Sequence, residues 1–192
     1  MSLVRSILRL TSAAAATSFL AAVPVLAAAQ DSVTAVWVPK HIEFIYQGFT
    51  THYSCDGLQE QIRGMLQKLG ARDLRVLQMA CVRPEGPTEF PGVNVTMSVL
   101  VPASSAEASK ANSSSPQVQA QWKEVVLMPE NASYDEEGDC ELIEQFKRTF
   151  LPLFTTRNVN YGSTCFPHQL SLGTHLSTQV LMPPPKVASA SP

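Results

Sequence analysis

Four cysteines fall in two pairs of nearly equal spacing: Cys55 to Cys81 is 26 positions and Cys140 to Cys165 is 25. The enclosed segments, SCDGLQEQIRGMLQKLGARDLRVLQMAC and DCELIEQFKRTFLPLFTTRNVNYGSTC, share a plan. Each opens on a helix-capping residue (Ser54, Asp139), then Cys, then an acid (Asp56, Glu141), with an apolar residue three after the Cys (Leu58, Ile143). Such caps accept the free N–H groups of a first helical turn, and acids there suit the positive end of the helix dipole. Leu58, Ile62, Met65, Leu66 and Leu69 then mark one face of a helix that Gly70 ends. Leu142, Phe146, Phe150 and Leu153 recur every three or four residues in the second segment, where Pro152 ends or kinks the helix near 149–151.

That plan constrains the cysteine pairing. A helix of about 15 residues travels roughly 22 Å. A return strand of about eight residues covers roughly 26 Å. Each chain segment therefore comes back to its helix N-terminus where its second cysteine sits. Four cysteines allow three pairings; the geometry selects Cys55–Cys81 and Cys140–Cys165.

The flanking segments complete a repeat. Ile42–Tyr46 and Trp122–Leu127 read as first strands, Asp73–Cys81 and Thr156–Ser163 as strands after the helices. Val93 to Val101 and Leu176 to Met182 alternate with period two, which marks strands with one buried face. The order is strand–helix–strand–strand, twice, in halves of about 36–101 and 118–182. The fold class is α+β, a two-layer sandwich with a mostly antiparallel sheet and two disulfides. These segments supply six of an expected eight strands, in one sheet or two. Residues 102–117, rich in Ser and Ala, read as a flexible linker, and 183–192 as a disordered tail.

Ahead of the domain, Arg5 and Arg9 precede an Ala-rich apolar run that ends in Ala27-Ala28-Ala29. This is the layout of a bacterial secretory signal peptide, residues 1–29, followed by one exported domain over 30–182. Cleavage leaves 12 basic and 16 acidic residues, a net charge of −4. With no basic stripe, nucleic acid is excluded as a partner class. No later run reaches membrane-spanning length, so no span remains after signal cleavage. The expected location is the periplasm or the extracellular space.

Little of the sequence carries chemistry. His52 beside Cys55 could form a thiolate–imidazole pair, but an oxidising compartment and the matching second segment favour a disulfide. His41, His52, His168 and His175 lack metal-ligand spacing, and the acidic run 135–141 lacks the ligand order of a calcium loop. No metal and no cofactor is implied. Aromatic residues concentrate around the first strand and its exit. Phe44 and Tyr46 share strand parity and face the core, whereas Trp37, Phe49 and Tyr53 lie at or beyond the strand ends and are candidates for binding, together with His52, His168 and His175.

The strings GFTTHYSCDGL, DCELIEQFKRTFLPLFTTR and CFPHQLSLGTHLS resemble a group of small exported bacterial proteins of unassigned function, over about residues 37–182. The resemblance implies export and a single domain, no reaction and no catalytic residue. The leading expectation is an exported, disulfide-stapled domain that binds a protein or an envelope component. One rival is an exported hydrolase or metal-assisted enzyme that gathers His52, His168 and His175. Another is a structural envelope protein without a ligand site.

Overall fold

In the computed structural model the elements run β1 (Ser32–Ile45), α1 (Cys55–Lys68), β2 (Arg72–Met79), β3 (Gly92–Pro102), β4 (Val118–Met128), α2 (Cys140–Thr149), β5 (Thr156–Gly162) and β6 (His175–Met182). The structure describes residues 32–49, 52–81, 89–111, 115–128, 140–163 and 174–184. Among them are six strands, not eight. They form one sheet in the order β2-β3-β1-β4-β6-β5, with every neighbouring pair antiparallel. The α+β class and the antiparallel sheet agree with the sequence.

Outward from the middle, each half of the chain lays down its first, third and second strand. The halves meet where Ser32–Ala35 of β1 pair with Val118–Gln121 of β4. Thr34 opposes Gln119 at the centre of this short ladder, and Gln119 Nε2 donates to Thr34 Oγ1 at 3.2 Å.

Both first strands start earlier than the sequence reading places them. Val33 to Val38 is apolar at both alternating sets of positions, Val36 and Val38 toward the helices and Val33, Ala35 and Trp37 toward the other face, so it shows no period-two signal. Trp37 therefore lies inside β1 and not at its end. β4 likewise begins earlier, at Val118, where Val118, Ala120 and Trp122 alternate with Gln119 and Gln121. Pro39 also sits within β1, where the bonds Tyr46 N→Pro91 O and Ala103 N→Thr34 O show that even-numbered residues bond to β3. The Pro39 nitrogen thus faces the other side, where pairing with β4 has stopped at Ala35, and its missing N–H breaks no ladder bond.

Both helices pack on one face of the sheet. Leu58, Ile62 and Leu66 of α1 and Leu142 and Phe146 of α2 share one core with Val38, Val95, Val99 and Val180. Ser54 caps α1 through Gly57 N at 3.1 Å. At the other end Gly70 takes φ +82°, with Gly70 N→Gln67 O and Ala71 N→Leu66 O closing the helix. The Cys55–Cys81 disulfide, with Cα atoms 6.1 Å apart, ties the start of α1 to the end of β2 as the geometry required. α2 ends at Thr149, ahead of a 3₁₀ turn that holds Pro152. The expected linker is partly structured: Ala106–Lys110 form a 3₁₀ turn, held to β1 by Lys40 Nζ on Glu107 Oε2 at 2.6 Å.

The opposite face carries a second, smaller apolar cluster. Ala35, Leu100, Ala120 and Leu181 are buried there beneath Val33, Trp37, Val118 and Trp122.

Candidate interaction surface

The segment that leaves β1 is held by α2, from the other half of the chain. Tyr46 is buried, packs edge-on against Tyr53 with centroids 5.1 Å apart, and donates its hydroxyl to Glu141 Oε2 at 3.3 Å. The same carboxylate oxygen accepts from Phe49 N at 2.8 Å. Between them Gln145 pairs with the main chain of Gln47: Gln47 N donates to Gln145 Oε1 at 3.1 Å, and Gln145 Nε2 donates to Gln47 O at 2.8 Å. Backbone groups that would otherwise need water are thereby satisfied by two helix side chains. The Phe49 side chain, by contrast, is 64% exposed. An exposed aromatic on a backbone already fixed loses little freedom when a partner covers it.

The other sequence candidates separate. Tyr53 is half-buried against the core, and His52 is exposed just before the Ser54 cap. Trp37 lies on the opposite sheet face, with the Arg72 guanidinium 5.5 Å from its ring centroid. His175 is also on that face: its register neighbours Leu176, Thr178 and Val180 alternate into the buried positions. His175 Nε2 lies 3.2 Å from Asn160 Oδ1, and its ring rests over Gly162, where a β-carbon would come within 2.3 Å of Cε1. His52 and His175 therefore occupy different layers of the molecule. His168 and Cys165 lie outside the described residues, as does most of the acidic run. Cys140 is not a free thiol. The acid that follows it, Glu141, is the residue that anchors the Phe49 segment.

Among the described residues no three of His, Cys, Asp or Glu are grouped to hold a metal ion, and no helix is long and apolar enough to cross a membrane. A polar open groove of about 480 Å³ runs along α1, lined by Asp56, Gln59, Glu60, Arg63, Gly64 and Gln67.

Two features were missed by the sequence reading. One is the grip of Glu141 and Gln145 on 46–49, which joins residues more than 90 positions apart. The other is Trp122, with Arg157 4.4 Å from its ring centroid. It repeats the Trp37–Arg72 pair at a constant offset of 85 positions, a signal that aligning the two halves on their cysteines would have exposed. No protein-family model, curated protein or solved structure matches the chain.

Proposed function

We propose that this chain is an exported, disulfide-stapled binding protein of the cell envelope, with Phe49 as the anchor of its binding surface. In this reading residues 1–29 are removed as a signal peptide, the two strand–helix–strand–strand units descend from a duplication, and Cys140 pairs with Cys165. The observation that carries it is the exposure of Phe49 on a backbone locked by Glu141 and Gln145. Aromatic anchors of this kind dominate binding energy at protein interfaces. The Cys55–Cys81 bond supports an oxidising compartment, since such bonds are rare where thiols are kept reduced. The palindromic strand order and the repeated Trp–Arg pairs support duplication.

The test uses the oxidised chain from Gln30 as bait for envelope extract, beside Phe49→Ala and Phe49→Tyr. The expected result is a partner retained by the native chain and by Phe49→Tyr, and bound at least about tenfold more weakly by Phe49→Ala. Equal retention by all three baits would remove Phe49, and this reading, from consideration.

A further inference from the structure

The sheet face opposite the helices carries an apolar centre flanked by polar and charged side chains, and among the described residues no helix lies over it. Both tryptophans of the chain are on it. Register places three more apolar side chains there. Ile45 shares the parity of Trp37 on β1. Leu77 stands beside Asn94, itself paired with Glu43. Val126 stands beside Ser177 on β6. Ile45, Leu77 and Val126 are 46, 52 and 48% exposed. A layer of sheet with one such face open has apolar surface left to bury.

We infer that this face docks on the same face of a second copy of the chain, giving a dimer of four layers, helices outside and two sheets inside. Three observations favour a second copy over another occupant. Six strands about 4.8 Å apart and about ten residues long present roughly 800 Å², the area each partner buries in a standard stable interface. The face carries both signs of charge, with Arg72, Arg75 and Arg157 against Glu43 and Glu124, so turning it on itself can set guanidinium against carboxylate. Its halves also match each other. Trp37 with Arg72 and Trp122 with Arg157 sit at equivalent places on either side of the Thr34–Gln119 centre, and a two-fold dimer interface requires one patch to complement itself. The surface is separate from the Phe49 segment, so the two proposals stand or fall independently.

Sedimentation equilibrium of the oxidised chain from Gln30 tests this. Twice the monomer mass at micromolar concentration is expected, with acrylamide quenching of Trp37 and Trp122 weakening as the dimer forms. Leu77→Arg and Val126→Arg, at exposed positions where folding is checked by circular dichroism, should each raise the dissociation constant at least about tenfold. Gln67→Arg, on the outer side of α1, should not. A native chain that stays monomeric throughout, with an uncovered face or one taken by another partner, overturns the inference. So does a dimer that survives both arginine substitutions, or one abolished by Phe49→Ala alone.

Discussion

Gly64 sits in the middle of α1 with nothing within 4 Å of where a β-carbon would be, whereas at Gly92 that carbon would meet Met79 Cγ at 2.9 Å and Phe44 O at 3.1 Å. Opposite outcomes are expected from the same substitution. Gly64→Ala should stabilise by about 0.5–1 kcal/mol, because glycine loses more backbone freedom in a helix. Gly92→Ala should cost about 1–3 kcal/mol, since a main-chain oxygen cannot step aside. Urea titration of both variants decides. Glu107 gives a pH-dependent counterpart. The hydrogen bond from Lys40 holds its carboxyl below the ordinary carboxylate range. Its contribution is therefore complete above the unfolded value and is lost as pH falls through the lowered folded one. The pair is near the surface and screened, so Glu107→Gln should cost only about 0.5 kcal/mol at neutral pH. The gap between variant and native melting curves should close as the solution is acidified past that point.

At the scale of elements, the Cys55–Cys81 bond closes a helix and its return strand. Replacing both cysteines by alanine should cost roughly 3 kcal/mol if the bond acts mainly by restricting the unfolded chain. Chemical denaturation of the double variant measures it, and a cost near zero would mean strain or residual structure offsets the restriction. The edge strands β2 and β5 each carry a register shift, with Asp73 and Asn158 at φ +51° and +54°. Side chains of α1 cover part of the β2 edge: Arg63 Nη2 donates to Val76 O at 3.4 Å, and Gln59 Nε2 donates to the same oxygen at 2.5 Å. Elements like these show why some of the fold was legible and some was not. Helix α1 announced itself by cap, periodicity and stop glycine, all local. The first part of β1 did not, because a strand with apolar residues on both faces loses alternation. Bulges and edge covers depend on which strand ends up beside which, and no local pattern encodes that. The same holds at the candidate site: Phe49 could be picked out as an aromatic beyond a strand end, but Glu141 as its anchor could not.

For the whole molecule, among the described residues the two halves share a four-residue ladder on the sheet, and they also share one helix-side core and the Glu141–Gln145 grip. Cutting the chain between Asn112 and Ser114 should therefore leave the halves associated. Fragments from a protease site inserted there should co-elute in native gel filtration and separate only in denaturant. Independent elution of the two pieces would place the cohesion of the fold elsewhere.

The nearness of Cys55 to Cys81 along the chain bears on how the protein is made. Under the proposed export and Cys140–Cys165 pairing, a chain threaded N-terminus first into an oxidising compartment presents these two thiols together while Cys140 is still behind the membrane. An oxidase that joins cysteines in order of emergence would then form the Cys55–Cys81 bond first, and the later thiols would arrive with no earlier one left to capture. Correct pairing would follow from order of arrival, without a round of disulfide reshuffling.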